Sequence, residues 1–152
     1  DVYKRQDIDK PYKVGYIAGV FDLFHIGHLN MFKRAKEQCR YLIVGVVSDE
    51  GVRLNKQAEP FVPFDERIEM VRSCKYVDEA IKLPLDFCGT RDMFKIYHFD
   101  VQFSGSDYEH DPAWLAEKEF LEKNGSTMVF FPYTQSTSST KLKKAIENRI
   151  NN

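Results

Sequence analysis

Cysteine is scarce in this chain of 152 residues, and the three present, Cys39, Cys74 and Cys88, are widely spaced with no C-x-x-C pair. An odd, scattered set argues against a disulfide framework or a four-ligand zinc site and fits a reducing, cytoplasmic setting. Long apolar runs are also missing. The longest, Tyr41 to Val47, falls far short of the roughly 20 residues that a helix needs to cross a bilayer, so no membrane role is expected. No charge of one sign dominates either: the formal charge is -1. Binding to a nucleic-acid backbone normally rests on a strong basic excess, so nucleic acid is not an expected partner and any anion recognition must be local. What the chain has is core material, with 43% hydrophobic and 14% aromatic residues, enough for one globular domain of this length. Residues 1–12 are expected to be a loose lead-in or cloning remnant, and residues 13–150 the domain.

The most informative segment is Gly19-Val20-Phe21-Asp22-Leu23-Phe24-His25-Ile26-Gly27-His28. It follows a strand-like run and leads into a helix-like one. Two imidazoles three residues apart, with a glycine between them, therefore arrive at a helix N-terminus, where unpaired amides and the helix dipole favour negative charge. Free amides, imidazole donors and a residue without a side chain suit a polyphosphate better than an apolar ligand.

Elements alternate along the rest of the chain. Lys13 to Ala18 reads as a strand, and Leu29, Phe32, Ala35 and Cys39 recur at helical spacing. Tyr41 to Val47 reads as a strand covered on both faces. Ser48 to Phe61 is polar and irregular, which predicts a mobile loop carrying Arg53 and Lys56. Pro63 opens a helix with Phe64, Ile68 and Val71 on one face. Tyr76 to Ile81 reads as strand three, Thr90 to Tyr97 as a helix and Val101 to Ser104 as strand four. Asp111-Pro112 starts a helix that Asn124-Gly125 ends. Thr127 to Phe131 is the fifth strand, and Ser139 or Thr140 caps a final basic helix reaching about Arg149. Such alternation predicts an open, mostly parallel α/β sheet with its ligand at the carboxyl ends of the strands. The polar segments 19–28, 104–108 and 133–140 each follow a strand and should share that edge.

With these marks in order, the chain resembles the nucleotidyltransferase superfamily with an H-x-G-H signature and, within it, the small cytidylyltransferases that make CDP-glycerol, CDP-choline or CDP-ethanolamine. The similarity runs from about Lys13 to Ile146. It rests on the segment at 19–28, Tyr41 to Val47 with Ser48-Asp49-Glu50, Arg67, Tyr76-Val77-Asp78-Glu79, Gly105-Ser106-Asp107-Tyr108 and Thr134 to Lys141. The late motif of that family usually reads Arg-Thr-x-Gly-Ile-Ser-Thr-Ser/Thr; here Tyr133 replaces the arginine and Ser136 the glycine. Lys75 stands where the glycerol-3-phosphate enzymes tend to carry arginine, keeping the charge without the bidentate fork.

The resemblance implies a Rossmann-like, doubly wound, mostly parallel five-stranded sheet with helices on both faces. It implies transfer of a cytidylyl group from CTP to a phosphorylated small alcohol, glycerol 3-phosphate first, with Mg²⁺ carried by the triphosphate and a homodimeric assembly. By the same resemblance His25, His28 and Lys56 are catalytic. Gly19, Val20, Phe21, Gly27, Asp107, Thr134, Ser138, Ser139 and Thr140 bind nucleotide, and Asp22, Lys75 and Asp78 face the acceptor. No protein ligand set for a resident metal is expected. Asp22 is also suited to orienting an imidazole, Arg67 to pairing with a carboxylate, and Tyr108, Trp114 and Phe87 to walling an acceptor pocket. Rival expectations are an adenylyltransferase acting on a sugar phosphate, a nucleotide-binding module without turnover, and a flavodoxin-like carrier that leaves the histidine pair unexplained.

Overall fold

The computed structural model describes residues 9–83, 89–132 and 138–151. Elements in chain order are β1 (Tyr12–Gly19), α1 (Ile26–Gln38), β2 (Cys39–Val47), α2 (Asp49–Lys56), α3 (Phe64–Arg72), β3 (Glu79–Leu83), α4 (Thr90–Tyr97), β4 (Val101–Gly105), α5 (Pro112–Lys123), β5 (Thr127–Phe131) and α6 (Ser139–Asn151), with a 3₁₀ turn at Ser106–Tyr108 after β4. The sheet has the order β3-β2-β1-β4-β5, and every pairing in it is parallel. The fold is therefore α/β and Rossmann-like, and fully rather than mostly parallel. No helix among the described residues is long and apolar enough to cross a membrane.

Two apolar layers sandwich the sheet. Phe32 and Ala35 of α1 and Ile68 and Val71 of α3 pack on Ile17, Leu42, Val44, Val46, Val101 and Phe103. On the other face Met93 and Leu121, from α4 and α5, pack with Phe99 on Tyr16, Ile43, Leu83 and Met128. Each large apolar side chain enclosed in this way contributes about 1.5–3 kcal/mol relative to exposure. Because consecutive strand residues point to opposite faces, the unbroken apolar run of β2 serves both layers.

Four expectations change. The segment after β2 is not a loop: Ser48 accepts a hydrogen bond from Gly51 N at 3.0 Å, Asp49 and Glu50 fill the first turn, and α2 runs to Lys56 before Gln57 (φ 53°) closes it. β3 starts at Glu79 rather than Tyr76. The last helix is capped by Ser138, whose Oγ accepts from Lys141 N at 3.1 Å, rather than by Ser139 or Thr140. At the other end Tyr12, placed in the lead-in by sequence, already pairs with Cys39.

Strand order reverses between β1 and β4, so their carboxyl ends diverge into a crevice. The H-x-G-H segment enters it from β1, the 3₁₀ turn from β4, and the start of α6 after β5.

Candidate active site

The connection from β1 to α1 is tightly bent. Phe21 (φ 57°) and Leu23 (φ 51°) both adopt the left-handed conformation. The Phe21 ring folds back so far that a Cβ on Gly19 would meet it at 2.8 Å. Glycine is needed there for close approach. Phe21 is buried and lies edge-on to the His28 ring at 5.4 Å, fixing that imidazole from behind. The Val20 carbonyl accepts from Arg67 Nη1 at 2.7 Å. Gly19, Val20 and Phe21, expected to touch nucleotide, are not among the residues that line the cleft.

The two histidines form a reciprocal capping box. Gly27 N–H donates to His25 Nδ1 at 3.0 Å, and His25 N–H donates to His28 Nδ1 at 3.3 Å. Two of the amides expected to be free for phosphate are therefore satisfied by imidazole nitrogens. The consequence is chemical: with both Nδ1 atoms accepting, each neutral ring carries its proton on Nε2. The rings stack with centroids 3.9 Å apart. Burial, then the neighbouring His25 charge, pushes the His28 pKa down to about 3 despite the opposing pull of Asp22. Burial lowers that of His25 as well. The pair is a set of neutral N–H donors at physiological pH.

His25 Nε2 lies 3.2 Å from the Ser139 hydroxyl, and that hydroxyl donates to the Asp22 carbonyl at 2.7 Å. The start of α6 and the H-x-G-H segment therefore meet. Asp22 is only 2% exposed. Its carboxylate accepts from Phe61 N at 2.8 Å and Val62 N at 2.9 Å and pairs with Lys143 Nζ at 3.0 Å. Burial raises its pKa, but those amides and Lys143 outweigh it and hold the carboxyl below its usual value. Asp22 neither bonds an imidazole through its carboxylate nor lines the cleft. It clips three segments together.

The cleft encloses about 450 Å³ and is lined by His25, Gly27, His28, Lys56, Asp107 and the hydroxyl-bearing turn Ser138, Ser139 and Thr140, all anticipated from sequence. Tyr108 also lines it and stacks on Trp114 with centroids 4.5 Å apart. Asn30, Met31 and Arg34 on α1, with Pro132 after β5, complete much of the wall and were missed. They fall three, four and seven residues from Gly27, the spacing of one helical face.

Lys75 and Asp78 do not join this site. Asp78 Oδ2 accepts from Leu42 N at 2.7 Å and from Lys36 Nζ at 2.5 Å. Lys75 lies over the Tyr76 ring at 5.2 Å. Leu42 pairs with Gly15, four residues before the end of β1, so this is the amino-terminal edge of the sheet, about 13 Å along the strands from the cleft. Asp78 secures a strand start there, which corrects its assignment to the acceptor. Thr134, with Tyr133 and Ser136, lies outside the described residues, as do Phe87 and Cys88.

Arg67 is 1% exposed. It donates to the carbonyls of Val62, Val20 and Val47 and to Asp49 Oδ1. It is a structural tie, as its expected carboxylate pairing suggests.

A cleft offering neutral N–H donors, a hydroxyl-bearing turn and a lysine at the switch point can hold a triphosphate and stabilise charge developing on it. Comparison with known proteins points the same way. The chain is 37% identical over 139 residues to FAD synthase of Thermococcus kodakarensis, covering 88% of this chain and 89% of that protein. It is 41% identical over 141 residues to ethanolamine-phosphate cytidylyltransferase of Dictyostelium discoideum, covering 91% of this chain but 39% of the longer protein. With glycerol-3-phosphate cytidylyltransferase of Bacillus subtilis it shares 32% identity over 128 residues, 84% of this chain and 92% of that one. The cytidylyltransferase-like family model matches residues 16–145, so nearly the whole described fold, cleft included, belongs to a nucleotidyltransferase of the cytidylyltransferase-like family.

Proposed function

We propose that this chain transfers the cytidylyl group of CTP to the phosphate of a small phosphorylated alcohol, glycerol 3-phosphate first, giving a CDP-alcohol and pyrophosphate. The observation that carries the reading is the convergence of His25, His28, Lys56 and Ser138, Ser139 and Thr140 on one cleft. A phosphate oxygen of the acceptor attacks the α-phosphorus as the bond to the bridging oxygen of the β-phosphate breaks, and pyrophosphate leaves with that electron pair. The acceptor is already an anion, so no protein nucleophile is required. Both imidazoles act as donors rather than bases, since each keeps its proton on Nε2. Catalysis is positioning plus stabilisation of charge on the departing pyrophosphate.

Mg²⁺ belongs to the proposal. Asp107 is the acidic side chain in the lining, and among the described residues no cluster of three or more His, Cys, Asp or Glu could hold a metal. That donor set fits a cation held mainly by phosphate oxygens and water with one carboxylate. When bound, it would screen phosphate charge. A homodimer in the cytoplasm completes the reading.

The likeness to the Thermococcus FAD synthase, spanning 89% of that protein, favours adenylyl transfer to a flavin mononucleotide as the second reading. A matrix separates them: four nucleoside triphosphates against glycerol 3-phosphate, phosphoethanolamine, phosphocholine, a sugar phosphate and flavin mononucleotide, scored by pyrophosphate release. The proposal expects signal for CTP with glycerol 3-phosphate. Signal confined to ATP with the flavin replaces it, and nucleotide binding without pyrophosphate in any well leaves a non-catalytic module.

A further inference from the structure

We infer that Arg34 reads the base of the nucleoside triphosphate and selects cytosine through its guanidinium fork. This rests on the reading above, that the phosphates sit against His25, His28 and the turn at Ser138.

From that end the cleft continues along α1 past Asn30 and Met31 to Arg34, faced by Phe131 and Pro132. Gly27 and Arg34 are seven residues, or two turns, apart, about 10.5 Å along the helix axis. That is the reach of a ribose and a base laid end to end from the α-phosphate. Gly105 and Asp107 border the stretch between, where the sugar would lie. Met31, Phe131 and Pro132 give apolar walls for a flat ring. The Phe131 ring is itself braced by stacking on Phe103, with centroids 5.2 Å apart.

Arg34 Nη1 donates to the Pro132 carbonyl at 3.2 Å. That bond holds the guanidinium across the end of the slot and leaves its Nε–Nη2 edge as two parallel donors. Of the four bases, only cytosine presents two adjacent acceptors, N3 and O2, on its Watson–Crick edge. Uracil puts an N–H at position 3, adenine an amino group beside N1, and guanine a donor at N1. The donor pair on Arg34 therefore complements cytosine and opposes the other three edges.

The test compares wild type with Arg34→Gln and Arg34→Lys, measuring kcat/KM for CTP, UTP, ATP and GTP with the best acceptor, and CTP binding by calorimetry without acceptor. Arg34 is exposed on a helix surface, so both variants should fold, and a thermal melt verifies it. Losing one bidentate base contact should lower kcat/KM for CTP roughly tenfold to a hundredfold, weaken CTP binding in parallel and flatten the preference over ATP. The acceptor KM should stay put. Lysine should fail to restore the preference, because it keeps the charge without the fork. An unchanged CTP/ATP ratio in Arg34→Gln, full rescue by lysine, or a wild type that prefers a purine overturns the assignment of Arg34. A wild type that releases no pyrophosphate from any triphosphate overturns the functional reading beneath it.

Discussion

His25 and Ser139, 114 residues apart in sequence, meet at 3.2 Å between Nε2 and Oγ. The direction of the bond is determined. Ser139 spends its one proton on the Asp22 carbonyl, and His25 Nδ1 is occupied as an acceptor by Gly27 N–H. Nε2–H must therefore donate to the serine oxygen. Ser139 thus engages the single N–H of His25, a proton that a bound phosphate oxygen would take over, and ties α6 to the motif in one contact.

Ser139→Ala is expected to lower kcat by up to roughly tenfold, the worth of one neutral hydrogen bond, and Ser139→Thr should recover most of it. Nitrogen-15 shifts of His25 supply a second readout: alanine should move the Nε2 signal, threonine should not. Unchanged kcat and an unmoved shift would reduce Ser139 to a bystander.

His28 is expected to matter more for rate. His28→Ala should lower kcat by roughly a hundredfold or more, as loss of one oxyanion-type donor does. It also predicts a pH effect on stability. The folded His28 pKa, near 3, lies below its unfolded value, so the unfolded chain binds the extra proton between about pH 6.5 and 3. Stability from this group is complete above pH 6.5 and falls as pH drops, by about 1.4 kcal/mol per unit. Urea unfolding at pH 7, 6 and 5 should show a loss that steepens toward that slope, and His28→Ala should lower the slope between pH 6 and 5 by about one proton. Equal slopes in both proteins would contradict a buried neutral imidazole.

The success of the sequence reading follows the strength of the local signal. Thr90–Tyr97 and Thr127–Phe131 were legible to the residue because apolar spacing and flanking turns agree. α2 was not, because in Asp49–Lys56 only Gly51 and Val52 are buried. Its start signal, a serine cap followed by two acids, was nevertheless present. Asp78 was given to the acceptor by the resemblance alone; as the residue before β3, bonded to Leu42 N, it belongs to the amino-terminal edge. Arg34 and Asn30 were overlooked because α1 was read through its core face alone. The cleft face became evident only once β5 stood opposite.

Arg67 should be the costliest polar residue to remove. Replacing it with methionine leaves three carbonyls and the Asp49 carboxylate without their shared donor. Burial tends to raise the Asp49 pKa, but Arg67 outweighs this and holds it low. The expected loss is about 3–5 kcal/mol in urea unfolding at pH 7, the usual cost of breaking a buried pair from one side. Arg67→Lys should also lose stability, since one ammonium cannot reach four acceptors in the same geometry. A loss below about 1 kcal/mol would mean that solvent already serves those carbonyls.

α6 has no fully buried residue, so its docking depends on polar contacts to the H-x-G-H segment. Ser139 supplies one through the Asp22 carbonyl, and Lys143 another through the Asp22 carboxylate. A helix held this way should open locally well before the core does. Amide exchange over Ser139–Asn151 should therefore be faster than over α1. It should slow when CTP bridges the turn at Ser138 to the histidines, and quicken in Lys143→Met without changing protection in β1 or β2. Loss of Lys143 leaves Asp22 its two amide donors from Phe61 and Val62, so the motif should keep its shape while the helix loosens. CTP then has to supply the missing order, and its affinity in Lys143→Met should fall by several-fold with kcat at saturation nearly retained. Exchange in α6 as slow as in α1, or CTP affinity indifferent to Lys143, would show that the helix is held by something other than this clip.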